Sequence, residues 1–109
     1  MNEYAVFFIS DAEEDLIKIY NFIALNDSVS KAKNLINKIE KSCKDLSLLP
    51  TRGHIPPELE KIGVFNYREV HCKSYRIIYQ VLDNDVYVHS ILDSRRNLSQ
   101  LLQERLIRT

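Results

Sequence analysis

The stretch at 67–79 reads YREVHCKSYRIIY, in which Tyr-Arg occurs twice, at Tyr67-Arg68 and Tyr75-Arg76, and Asp93-Ser94-Arg95-Arg96 lies further along. Arginine stays charged at any biological pH and presents a planar fork of donors that meets a carboxylate or a phosphate at two points. Three uses fit cations spaced in this way at the edges of strand-like runs. They could grip and cleave a phosphodiester, hold an acidic partner, or form the wet side of a small sheet.

The neighbouring titratable groups weigh on that choice. His71 and His89 fall in strand-like runs beside tyrosines, where a histidine satisfied within the structure is a commoner outcome than a general base. Glu69 stands between Arg68 and Val70, so cross-strand pairing to a cation is its simplest use. Arg76 shares a strand face with Ile78 and Leu82, which suits bracing a loop or helix end as well as touching a partner. Tyr67, Tyr75, Tyr79 and Tyr87 would complete a core or a binding groove more readily than a platform for bases. Cys43 and Cys72 have no metal-like spacing and read as reduced thiols. Neither a metal nor a cofactor is expected.

Whatever these residues do, a small framework must position them. With 109 residues, 45% of them apolar and 28% charged, the chain is expected to form a single domain over 1–109 with one core. Fifteen basic and fifteen acidic side chains cancel, which argues against direct sequence-specific DNA binding and against attraction to an anionic membrane. The start, MNEYAVFFIS, carries an acid where a secretory signal carries basic residues, and no apolar run approaches a membrane span, so a cytoplasmic protein is expected.

Residues 3–9 are apolar on both alternating faces, which predicts a buried strand. Ser10-Asp11-Ala12-Glu13 has capping-box spacing, and Ala12, Leu16, Ile19, Tyr20 and Ile23 recur at helical intervals, predicting a helix that ends near Leu25. After the polar break Asn26-Asp27-Ser28, the residues Ala32, Leu35, Ile36, Ile39, Cys43 and Leu46 mark a second helix, stopped by Pro50. So short a connection predicts an antiparallel helix hairpin. Residues 51–63 hold both glycines and two of the three prolines and read as a loop. Strands are expected at 64–72, 75–82 and 86–92, joined by tight turns at Cys72-Lys73-Ser74 and Asp83-Asn84-Asp85. Asn97 would cap a short terminal helix carrying Leu98, Leu101, Leu102, Arg105, Leu106 and Arg108. The order describes an α+β fold: N-terminal strand, antiparallel helix hairpin, three-stranded antiparallel meander and short C-terminal helix.

This order, together with the words IYNFIA, LPTRGHIPPELEKIGVFNYREV, YRIIYQV and ILDSRRNLSQLLQERL, resembles the RelE/ParE superfamily of toxins over nearly the whole chain. The resemblance implies a type II toxin-antitoxin module, in which a cognate antitoxin protein silences the toxin. It also implies one of two activities on this fold: ribosome-dependent, metal-free messenger RNA cleavage in the RelE-like branch, or inhibition of DNA gyrase in the ParE-like branch. Metal-free cleavage needs a base, cations that stabilise the phosphorane, and a proton donor for the leaving oxygen. Arg76 and Arg95 match the cations of the RelE-like nucleases, and Arg68 stands where a basic residue is expected. Where those nucleases present a tyrosine or histidine near the C-terminus, this chain has Leu98-Ser99-Gln100-Leu101-Leu102. The neutral charge also departs from the basic character that ribosomal RNA demands. The resemblance therefore leans to a gyrase-directed toxin in which Arg68, Arg76, Arg95, Arg96, Leu101 and Arg105 contact the antitoxin or the target. The endoribonuclease, with Arg76 and Arg95 catalytic and the ribosome as its partner, is the alternative.

Overall fold

A computed structural model describes residues 3–95 and 98–106. The elements run β1 (Ala5–Phe8), α1 (Ser10–Asn26), α2 (Val29–Lys44), a 3-10 turn (Asp45–Ser47), α3 (Pro57–Glu60), β2 (Arg68–Cys72), β3 (Tyr75–Leu82), β4 (Asp85–Asp93) and α4 (Ser99–Leu106). The α+β order expected from the sequence is the one observed.

The sheet has the order β1-β4-β3-β2. The meander β2-β3-β4 is antiparallel, while β1 returns beside β4 in parallel, with Ala5 opposite Asp85 and Phe8 opposite Val88. At the edge of the sheet, β1 is alternately exposed and half-buried, not buried as its composition predicts. Phe7 faces outward and stacks on Tyr87 at 5.5 Å, which explains an aromatic at this position without placing it in the core.

The capping box does not form. Ile9 is extended and still held by the sheet, its N–H donating to the Val88 carbonyl at 3.0 Å, so Ile9 is the N-cap and Ser10 is drawn into the first turn. Acidic Asp11 and Glu13 in that turn still complement the helix dipole. At the second helix, Ser28 caps through its side chain, Oγ accepting from the Lys31 N–H at 3.1 Å. α2 stops at Lys44, short of Pro50, and the 3-10 turn carries Leu46 into the core.

Both faces of the sheet are covered. The helix hairpin packs Ala12, Ile39, Cys43 and Leu46 against Val70, Ile77, Tyr79, Val86, Val88 and Ile91. On the opposite face α3, α4 and Leu98 just before α4 bring Leu59, Leu98, Leu102 and Leu106 onto Tyr67, Ile78 and Leu92. Successive strand residues point to opposite faces, so consecutive Ile77 and Ile78 serve one core each. The short helix within the stretch expected to be plain loop exists to close this second core. Pro57 opens it without sacrificing a backbone donor, and Gly63 ends the turn at φ 76°. Val64 N–H then bonds the Leu59 carbonyl at 2.9 Å, so β2 begins only at Arg68, four residues later than expected.

Candidate functional site

Where β1 ends at Phe8, the outer edge of β4 continues without a strand beside it. Asp15 of α1, 6% exposed, fills part of that gap: its Oδ2 accepts from the Ile91 N–H at 2.9 Å. Arg105 of α4 donates to the same oxygen at 2.7 Å and lies 3.4 Å from the Ser90 hydroxyl. This bond from Asp15 raises the Arg105 pKa further above its ordinary value. Three elements are thus fixed around one carboxylate, and an open groove of about 970 Å³ lies between α1, α2, the β2-β3 turn, the end of β4 and α4.

The groove has an apolar floor and a cationic rim. Ile19, Phe22, Leu35, Ile91, Leu98 and Leu101 supply hydrophobic surface, with Phe22 62% exposed. Lys18, Lys31, Lys38, Lys73, Arg95 and Arg105 outnumber the two carboxylates, Asp15 and Asp93. On a chain of zero formal charge this is a concentration of one sign. Arg95 is held by Asp93, Nη2 to Oδ2 at 2.7 Å and Nε to Oδ1 at 3.1 Å, yet its side chain is 77% exposed. Of the residues singled out in the sequence, Arg95, Leu101 and Arg105 meet here, while Arg96 lies outside the described residues. The lysines at 18, 31 and 38 were missed because helix periodicity marks them as a solvated face, and Lys73 because it lies in a tight turn; only the packing of hairpin, sheet and α4 gathers them around one groove.

Arg68 and Arg76 stand elsewhere and look inward. Arg76, on β3, donates through both terminal nitrogens to Glu58 of α3 at 2.5 and 2.7 Å and through Nε to Glu69 Oε1 of β2 at 2.5 Å. It is 7% exposed and Glu69 1%. The bonds from Glu58 push the guanidinium pKa well above its ordinary value, and the bond from Arg76 lowers that of Glu58. Arg68 donates to the Gly53 and Thr51 carbonyls at 2.7 and 3.2 Å. Both arginines brace the loop that carries α3, and neither lines the groove. Arg76 and Arg95, the two cations that a nuclease would converge on one phosphate, are therefore committed to different surroundings, one buried against Glu58 and Glu69 and the other exposed at the groove.

The remaining candidates are structural in their contacts. Tyr67 Oη donates to the Leu106 carbonyl at 3.0 Å, and Tyr79 Oη accepts from the Gly53 N–H at 3.0 Å. Burial raises the pKa of both phenols, away from the range of a base. His89 lies edge-on to Tyr67 with ring centroids 5.2 Å apart, and burial lowers its pKa. His71 does not lie among tyrosines as expected; it is exposed and stacks beside His54. The Cys43 thiol, fully buried, is pushed up to about 12 and stays protonated.

The sequence model of the family described as "ParE toxin of type II toxin-antitoxin system, parDE" matches residues 6–98. The chain belongs to the ParE toxin family. Within this family it is similar to Toxin ParE3 of Caulobacter vibrioides, 28% identical over 91 residues that cover 84% of this chain and 87% of the relative. The ParE-family fold recurs in the chromosomal ParDE toxin-antitoxin system of P. aeruginosa, with a TM-score of 0.71 at 17% identity over 84% of this chain and 96% of that one. It recurs also in the RelBE2 toxin-antitoxin complex of Mycobacterium tuberculosis, with a TM-score of 0.62 at 21% identity over 85% and 93% of the two chains. At these identities the two solved structures speak for the fold shared by the RelE/ParE superfamily. Among the described residues no helix is long and apolar enough to cross a membrane.

Proposed function

We propose that this ParE-family chain inhibits DNA gyrase by protein-protein contact and is neutralised by a cognate antitoxin whose amphipathic, acidic segment lies in the groove between the helix hairpin and α4. The groove carries this reading: an apolar floor flanked by six cations offers burial to one face of a helix or strand and charge complementarity to acids on its flanks. Arg95 and Arg105 sit on its rim, and Leu101 contributes to its floor.

The gyrase assignment rests on family membership and on the state of the arginines. Arg76 already neutralises two carboxylates, so it has no vacant fork for a phosphorane. In α4 the described residues offer leucines, Gln100, Gln103, Glu104 and Arg105 but no imidazole or phenol to move a proton.

The test pairs purified toxin with supercoiled plasmid, gyrase and ATP, and in parallel with ribosomes programmed with messenger RNA. Loss of supercoiling or stabilised cleaved DNA, with intact messenger, is the expected result. Cut messenger with unaffected gyrase would overturn it and assign the chain to ribosome-dependent RNA cleavage. Calorimetry with the cognate antitoxin tests the groove: Lys38→Glu with Arg95→Glu should weaken binding, and unchanged affinity would refute the docking site.

A further inference from the structure

His54 and Glu69 pair across an isolated antiparallel bridge, exchanging both backbone hydrogen bonds: His54 N–H to the Glu69 carbonyl at 3.1 Å and Glu69 N–H to the His54 carbonyl at 2.7 Å. Directly opposed residues project to the same face of a sheet, and so do residues two apart on one strand. His54, Glu69 and His71 are therefore gathered on one face by backbone register, independently of side-chain rotamers. The His54 Nε2 lies 2.9 Å from Glu69 Oε2, the His71 Nε2 lies 3.9 Å from Glu69 Oε1, and all three ligand atoms fall within 4.8 Å of one another. The imidazoles stack with centroids 5.9 Å apart.

We propose that these three side chains form a binding site for a borderline divalent cation, Zn²⁺ above all. Two imidazole nitrogens and one carboxylate oxygen are a donor set that Zn²⁺ accepts, at metal-ligand bonds of about 2.0–2.2 Å, which places tetrahedral ligands about 3.3 Å apart. The His54–Glu69 separation is shorter than that figure and all three ligand atoms lie within 4.8 Å, so rotations of the two exposed imidazoles bring the three onto one ion. The carboxylate side chain is 2% exposed while the imidazoles are 60% and 52% exposed, which makes a site anchored at its base and open to solvent. An open coordination position remains for water or for a partner's side chain.

The surroundings hold the ligands in place. Arg76 Nε occupies Glu69 Oε1 and turns Oε2 toward His54. The loop bearing His54 is tied down by Arg68 on the Gly53 carbonyl and by Tyr79 Oη on the Gly53 N–H. The adjacent guanidinium draws on the carboxylate's charge, so affinity is expected on the order of micromolar, not that of a four-thiolate structural site. An ion here would clamp the loop before α3 to β2, a link between sequence-distant segments that chain composition gives no sign of.

The test is calorimetric titration of the untagged full chain with ZnCl₂ in a non-coordinating buffer, alongside His54→Asn, His71→Asn and Cys72→Ser. Both histidines are exposed, so their variants should fold as the parent does, which circular dichroism checks. The expected result is saturable 1:1 binding, weakened at least tenfold in each histidine variant and retained in Cys72→Ser, with a zinc-dependent rise in Tm only where both histidines remain. Absence of saturable binding below 1 mM would overturn the proposal, on the order-of-magnitude scale of about micromolar affinity set above. So would parental affinity in both folded histidine variants, or loss of binding in Cys72→Ser alone.

Discussion

The two arginine regions of this molecule use the same side chain in opposite ways. Around Arg76 each of the three guanidinium nitrogens meets a carboxylate inside the structure, and the group is nearly sealed from solvent. Around the groove Arg95 and the lysines stand in water over an apolar floor, with fewer acids than cations to meet them. A buried ion pair resists the loss of one partner, because the other is left charged and desolvated. An exposed cation contributes little to stability and is free to act on a second molecule. The difference teaches that a Tyr-Arg motif occurring twice near a sheet edge can be internal bracing, while the exposed cations around the groove come from helix faces and turns whose sequence looks merely solvated.

The contrast is most sharply broken at Arg76. Arg76→Ala should cost about 3–5 kcal/mol by stranding Glu69, read as a lower midpoint in urea unfolding. An unchanged midpoint with lost antitoxin affinity would reverse the assignment of the two regions.

Gly53→Ala comes next. A Cβ there would lie 2.5 Å from the Glu69 carbonyl oxygen and 2.7 Å from Tyr79 Oη, and the first of these is backbone that cannot step aside. Forcing this contact should cost about 1–3 kcal/mol, again by urea unfolding, and should disturb Arg68, which bonds the Gly53 carbonyl.

In the groove the order of effects inverts. Lys38→Glu with Arg95→Glu should weaken antitoxin binding at least tenfold, which is about 1.4 kcal/mol, while shifting stability by no more than about 0.5 kcal/mol. Raising salt should weaken the parent's binding more than the variant's, since screening acts on the charges that the variant lacks.

Acid should produce the smallest and most graded effect. Arg76 holds the Glu58 carboxyl below its ordinary 4.5, so its stabilisation is complete above that pH and is lost as pH falls through the lower folded value. Burial holds His89 below its ordinary 6.5, so protonation also opposes the fold, beginning as pH falls through 6.5. A series of Tm measurements from neutral pH downward should show both declines. Glu58→Gln should flatten the more acidic one and leave the other.

Much of the framework was legible because local rules govern it. The polar break before the second helix holds, the expected tight turns form with Lys73 and Asp83 at positive φ, and β3 alternates apolar residues to two cores. The errors arose where a distant segment overrode a local signal. Ser10 lost its capping role because Val88 holds Ile9, and β1 is only half-buried on one face because it lies at the sheet edge. Among the candidate residues, Arg95, Leu101 and Arg105 meet at one groove, but Asp15, which organises its edge, was not among them. His54 carried no signal at all, lying in a loop fifteen residues from its carboxylate.

By itself the sequence determined the order of elements, the hairpins and the family, since periodicity, turn chemistry and the words around Tyr67-Arg68 and Tyr75-Arg76 are properties of neighbouring residues. Only the tertiary structure decided which arginine is spent inside and which faces out. A cation's role depends on the carboxylates and the solvent around it, and those arrive from segments that are remote along the chain and brought close only by packing.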